Sequence, residues 1–140
     1  MSEGGKFLPD LILRDESGSA IVVVEVKNKI QDVDRPFFYR QLDEYLRHAM
    51  PDTAKPFTIV VDRDSIEIFR GTPVAAEPIR LDTSILSAYD ADFRRRSKYA
   101  SYLERLVEVW LDDVAHHWRF DPAPAEEHLP AELTEALRAA

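Results

Sequence analysis

Apolar and polar positions along this chain switch between two periods, and each switch marks an element. Residues 8–14 (Leu-Pro-Asp-Leu-Ile-Leu-Arg) read as a strand with proline at its beginning, where a missing N–H is tolerated. Asp15-Glu16-Ser17-Gly18-Ser19 reads as a turn. Residues 20–27 read as a second strand, dense in valine and isoleucine. Its near-continuous apolar run predicts burial on both faces, as at the centre of a sheet covered by helices. The period then lengthens. Phe38, Leu42, Tyr45, Leu46 and Ala49 form one helical stripe over residues 34–49. Asp34 is the expected N-cap, Pro36 fits the first turn, and Pro51 is the stop. Strand patterning returns at 57–61 and 66–70, separated by the turn Asp62-Arg63-Asp64-Ser65. Strand, helix and strand in that order predict a right-handed parallel crossover between 20–27 and 57–61, and the final pair a hairpin. Residues 71–90, with Pro73 and Pro78, read as a surface connection. Tyr99, Leu103, Leu106, Val107, Trp110, Val114 and Trp118 predict one long helix over roughly 92–118. Asp121-Pro122-Ala123-Pro124 ends it, and a short acidic helix follows at about 130–139.

The expected fold is therefore α/β, a mixed sheet flanked by helices. Residues 1–90 form its core, 91–120 a long packing helix of the same domain, and 121–140 a linker with a short helix. A chain of 140 residues suits one domain with one core. No apolar stretch approaches the ~20 residues of a membrane span. The first residues lack the basic region and apolar core of a secretion signal, so the expected location is cytoplasmic. With no cysteine, disulfides and thiolate metal sites are excluded.

Asp10, Glu25 and Lys27 change the picture from fold to chemistry. Glu25 and Lys27 project from one strand face, and antiparallel pairing of the first two strands brings Asp10 beside Glu25. Two carboxylates at that spacing repel unless a cation sits between them. Mg²⁺ suits such a pair, because it accepts one or two carboxylates and keeps several waters; Mn²⁺ is the expected substitute. The bland reading is an edge hairpin with solvated charges, against which the flanking runs are too apolar.

Pro9-Asp10 followed by Glu25-Val26-Lys27 resembles the signature of the PD-(D/E)xK, or restriction-endonuclease-like, nuclease superfamily. Gln41-Leu42-Asp43-Glu44-Tyr45 is similar to the Q-x-x-x-Y element of one branch, which includes RecB-type nucleases and nuclease domains of type I restriction subunits. The structural reading of that pair is a core tyrosine and a solvated glutamine. The resemblance covers about residues 8–70. It implies a restriction-endonuclease-like core with a C-terminal helical extension, and Mg²⁺-dependent hydrolysis of DNA phosphodiester bonds. Asp10, Glu25 and the Val26 backbone carbonyl would be metal ligands. Lys27 would act on the attacking water, and Gln41 and Tyr45 would brace the lysine or touch the DNA backbone.

In the superfamily a helix and a strand usually precede the Pro-Asp strand, and that helix often supplies another acid. Only eight residues precede Pro9 here. The helix 92–118, packed within the chain or across a homodimer, is expected to complete the core. Glu104 and Glu108 could replace the missing acid, although a solvated helix face is the commoner explanation for such a pair. The rival functions are an inactive interaction module with the same fold and an RNA-directed nuclease. A defence or repair assembly is the expected setting.

Charge limits how such a protein meets nucleic acid. The net charge is −8, whereas proteins held on DNA by phosphate contacts are usually basic. A local patch or a partner must then supply affinity. Arg94, Arg95, Arg96 and Lys98 form the basic cluster, with Tyr99 and Tyr102 near enough to stack on bases. Such a run is more often simply solvated. Its place at the start of a long helix also opposes the macrodipole, which Asp90 or Asp92 as a cap would offset. His116 and His117 are adjacent, about 100° apart on a helix, and His48 and His128 lack partners at ligand spacing, so no zinc site is assigned. Glycines at 4, 5, 18 and 71 make no phosphate-binding loop.

Overall fold

The structure, a computed structural model, describes residues 10–49, 57–71 and 77–140. The expected strand start at Leu8 and Pro9, the stop at Pro51, Pro73 and the side chain of Ala49 lie outside the described residues.

Two strands, β1 (Leu11–Arg14) and β2 (Ala20–Val26), form the expected antiparallel hairpin. Its turn is organised by the Asp15 carboxylate, which accepts from the Ser17 and Ser19 N–H groups and the Ser17 hydroxyl. Gly18 sits there at φ +87°, where any Cβ would be strained even though nothing lies within 4 Å of one. Helix α1 (Arg35–Ala49) follows. Asp34 contributes its backbone carbonyl to Phe38 N–H, but its carboxylate makes no capping bond among the described residues, which corrects the expected cap. Strand β3 (Phe57–Val61) then pairs parallel to β2, with Val22 opposite Phe57 and Val26 opposite Val61. β4 (Ser65–Arg70) returns antiparallel to β3.

The stretch 71–90 departs from the expected surface connection. It contains a fifth strand, β5 (Ile79–Asp82), and a 3₁₀ segment, Thr83–Tyr89. Ile79, Arg80, Leu81 and Asp82 alternate, and Asp82 caps the next segment by accepting from Ser84 N–H at 2.8 Å. The result is a five-stranded mixed sheet in the order β1-β2-β3-β4-β5.

The long helix is also corrected, into two pieces: α2 (Phe93–Arg96) and α3 (Ala100–His116). Tyr99 between them is extended, at φ −104° and ψ 123°. The break resolves the charge conflict noted above. Arg94, Arg95 and Arg96 now end a helical turn, where positive charge is favoured, rather than beginning a long helix. Asp90 ties the junction, accepting from Asp92 N–H, the Arg96 guanidinium and the Tyr102 hydroxyl; Asp92 makes no side-chain cap bond. At the far end His117 turns left-handed at φ 51° and leaves Trp118 half in solvent, outside the apolar stripe. Helix α4 (Ala131–Ala139) closes the described chain.

β2 and β3 are buried on both faces, as their valine runs require. Val22, Val24, Val26, Ile59 and Val61 face Leu103, Val107, Trp110 and Val114 of α3, with Leu133 and Leu137 of α4 in the same core. Val23, Val60 and Phe69 face Phe38, Leu42 and Leu46 of α1. The stripe of α3 is thus spent inside the chain, against the sheet. No helix of the described residues is long and apolar enough to cross a membrane.

Candidate active site

Strand alternation puts Glu25 with Val23 on the face covered by α1, and the pairing register aligns it with side chains across the whole sheet. Glu25 lies opposite Val60, Val60 opposite Glu67, and Glu67 opposite Arg80. Leu11 opposite Val24 sets Asp10 next to Glu25 at the β1 end of this row. A polar row therefore crosses the core at right angles to the strands, interrupted only by Val60.

The two carboxylates of the row are treated differently. Glu67, with no exposed surface, accepts from Arg35 at 2.7 Å, from Arg80 and from the Tyr39 hydroxyl. Burial, and then the bond to Glu67, push the Tyr39 hydroxyl up to about 12. Two guanidiniums and a phenol therefore satisfy Glu67 as a structural group. Other buried carboxylates are satisfied by backbone. Asp62 accepts from the N–H groups of Ile30, Asp64 and Ser65, with Arg35 at 3.5 Å. Asp113 accepts from the Tyr89 hydroxyl and from Arg119 N–H at 2.6 and 2.7 Å, and also from Phe120 N–H.

Glu25 is only 2% exposed and faces another acid. Burial is the main force holding its proton; a side-chain hydrogen bond with the Asp10 carboxyl and the charge of Asp10 add to it, and its pKa rises to about 8. The Lys27 ammonium lies 3.4 Å away and opposes the shift. That contact has the distance of an ion pair, yet the raised value keeps Glu25 mostly protonated at neutral pH. Burial and Asp10 outweigh Lys27, which is half-exposed and screened by water. Lys27 Nζ also lies over the Phe38 ring, 5.9 Å from its centroid, which fixes its direction across the mouth of the site.

Asp10 sits one residue before β1, and its Oδ2 accepts from Val26 N–H at 2.7 Å. The N–H and C=O of one strand residue point to the same edge, so the Val26 carbonyl opens toward the same side as Asp10. Helix α3 brings a third acid. Glu104 is half-buried and its pKa is raised, first by burial and then by the charges of Asp10 and Glu108. Of the two acids that could replace the missing one, Glu104 is half-buried and feels the charge of Asp10, while Glu108 is exposed, as a solvated helix face would be.

The remaining sequence-derived residues are more distant. Gln41 is exposed and bonds neither Glu25 nor Lys27; Tyr45 is half-buried against the Val23 and Val60 cluster. Both follow Phe38 on one helix stripe, at three and seven residues, so they continue the line that begins over Lys27. Arg94, Arg95, Arg96 and Lys98 are exposed on α2 and the turn after it, and none bonds the acidic group. The residues that the sequence reading missed are Arg35, Tyr39, Glu67 and Arg80. Glu67 between Ile66 and Ile68 was the available signal, a lone charge on an otherwise apolar strand.

No protein-family model, characterised protein or solved structure matches the chain. Function must therefore be argued from the site.

Its donor set suits a small hard cation. The Glu25 carboxyl lies beside that of Asp10, and the Val26 carbonyl faces the same space. Among the described residues no three or more His, Asp or Glu close around a point as a ready cage. Mg²⁺ needs no such cage, since one or two carboxylates and several waters satisfy it.

Proposed function

We propose that the chain is a metal-dependent nuclease of the PD-(D/E)xK kind, hydrolysing DNA phosphodiester bonds. One observation supports it above the others. Among the described buried carboxylates, Glu25 alone faces another acid while the rest are neutralised by arginine or backbone donors. A buried carboxyl beside a second acid has its pKa pushed up, and groups perturbed in this way are concentrated where chemistry is done.

In this reading Asp10, Glu25 and the Val26 carbonyl hold Mg²⁺ or Mn²⁺, and Glu104 adds negative potential from α3. The ion supplies Lewis-acid stabilisation of the phosphate and a more acidic water. Glu25 releases its proton when the ion arrives. Lys27, aimed by Phe38, donates to the attacking water or to the phosphate oxygens as charge builds. Gln41 and Tyr45 line the approach along α1, and Arg94, Arg95, Arg96 and Lys98 meet the substrate backbone further out. The acidic net charge favours work within an assembly that contributes affinity, as in defence or repair, or as a homodimer.

The test is nicking and linearisation of plasmid, with digestion of single strands and RNA, in Mg²⁺ and in Mn²⁺. Glu25→Ala should lose metal binding and all cleavage. Lys27→Ala should still bind metal, by calorimetry, and lose a factor of ~10² or more in rate. A wild-type protein that binds no divalent ion at millimolar concentration and cuts nothing would favour the interaction-module reading. Cleavage confined to RNA would favour the RNA-directed one.

A further inference from the structure

The break between α2 and α3 opens a cavity of about 580 Å³, lined by neither Asp10 nor Glu25. Tyr89, Tyr99 and Tyr102 line it with Arg96, Arg105 and Ser101. Its aromatic faces differ in what already occupies them. Tyr102 is fixed, its hydroxyl on Asp90 and its ring between Phe93 and the Arg96 guanidinium, 4.8 Å from the ring centroid. Tyr99 is 56% exposed, and its hydroxyl bonds nothing among the described residues. Trp118, 52% exposed, leans on Tyr89 at 6.1 Å and extends the aromatic surface beyond the cavity.

Cations surround these rings. Arg95 and Arg96 are paired with Asp92 and Asp90. Arg94, Lys98 and Arg105 have no carboxylate partner among the described residues, and Lys98 lies over Tyr99 at 5.4 Å. Between residues 90 and 105 the basic Arg94, Arg95, Arg96, Lys98 and Arg105 outnumber Asp90, Asp92 and Glu104, against the trend of an acidic chain. Exposed planar rings beside cations without carboxylate partners are what a strand of unpaired bases requires, because bases stack and phosphates take the charges. A duplex hides its base faces and could use only the cations.

We infer that the cavity between α2 and α3 binds single-stranded nucleic acid, with Tyr99 and Trp118 as stacking surfaces and Arg105, Arg94 and Lys98 as phosphate contacts. Arg105 follows Glu104 by one position on α3, and the Glu104 carboxyl feels the charge of Asp10. The inference deepens the nuclease reading by naming its substrate class, and rests on that reading only for the fate of the strand once bound.

The experiment is fluorescence anisotropy with labelled oligo-dT, oligo-U and a duplex of equal length, in EDTA so that nothing is cut. Wild type should bind the single strands at least tenfold more tightly than the duplex. Tyr99→Ala should lose about tenfold on single strands with its salt dependence unchanged, because a base stack is lost and no cation is. Arg105→Ala should lower the slope of log K against log salt by about 0.7. Both side chains are exposed, so folding is not at risk, and Arg47→Ala on α1 should bind as wild type. Equal affinity for the duplex, an unchanged Tyr99→Ala, or displacement by polyglutamate at equal charge would each overturn the inference. Comparison of oligo-dT with oligo-U assigns the sugar. Tight binding without cleavage after Mg²⁺ is added would leave this site standing and remove the nuclease reading.

Discussion

At the scale of single residues, Glu25 and Glu67 occupy one row of the sheet and have opposite fates. Two arginines and a tyrosine donate to Glu67. Its removal leaves Arg35 and Arg80 facing an emptied apolar pocket, so Glu67→Ala should cost about 3–5 kcal/mol in urea denaturation. Glu25 behaves in the reverse way, because its pKa rises from 4.5 to about 8 on folding. Below about 4.5 both states carry the proton and there is no penalty. Between about 4.5 and 8 the unfolded chain has released the proton and the folded chain retains it, so stability falls as pH rises. The slope approaches ~1.4 kcal/mol per pH unit in that window and levels off above it. Glu25→Gln removes the titration and should be the more stable protein at pH 8 in metal-free buffer. Denaturation curves of both proteins at intervals from pH 4 to 9 check this; parallel profiles would contradict it.

At the scale of elements, legibility followed length and turn chemistry. β1, β2, α1, β3 and β4 each carry a sustained period bounded by a strong turn or proline, and each was readable. β5 has four residues, too few to establish alternation, and its partner β4 is what makes it a strand. The break before α3 was hidden because Phe93 and Val107 stay nearly in phase across it; the misplaced arginines were the only local sign. In the site, Asp10 and Glu25 were legible because a hairpin joins them by short-range pairing. Arg35 and Glu67 were not, because 32 residues and a parallel crossover separate them, and register across four strands cannot be read locally. α3 itself is held by its buried stripe. Trp110 is fully buried and donates its indole N–H to the Pro124 carbonyl at 2.8 Å. Trp110→Ala should cost about 3–5 kcal/mol and weaken the seat of Glu104 beside Asp10. Trp110→Phe keeps most of the volume and loses the hydrogen bond, so thermal denaturation should place it between the two.

At the scale of the whole molecule, a chain of net charge −8 buries Glu25 beside the exposed Asp10 and gathers basic residues around the break between α2 and α3. On the proposed metal-dependent reading, the stability of the protein should depend on a divalent ion. An ion that binds the folded state and not the unfolded chain stabilises by RT ln(1 + [L]/Kd), about 2.7 kcal/mol at a hundredfold excess over Kd, which is several degrees in Tm. Because Glu25 must lose its proton to bind, apparent affinity should rise almost tenfold per pH unit up to about 8 and then level off, with up to one proton released per ion. Differential scanning fluorimetry with Mg²⁺ and Mn²⁺ at pH 6, 7 and 8 should therefore show a Tm increase that grows with pH. The increase should vanish in Glu25→Gln, although that variant starts from the higher Tm without metal. Calcium that binds without supporting cleavage would serve equally as a probe of the site. An ion-induced shift that ignores pH, or that persists in Glu25→Gln, would mean that the cation sits elsewhere and that the acidic pair of β1 and β2 is not its site.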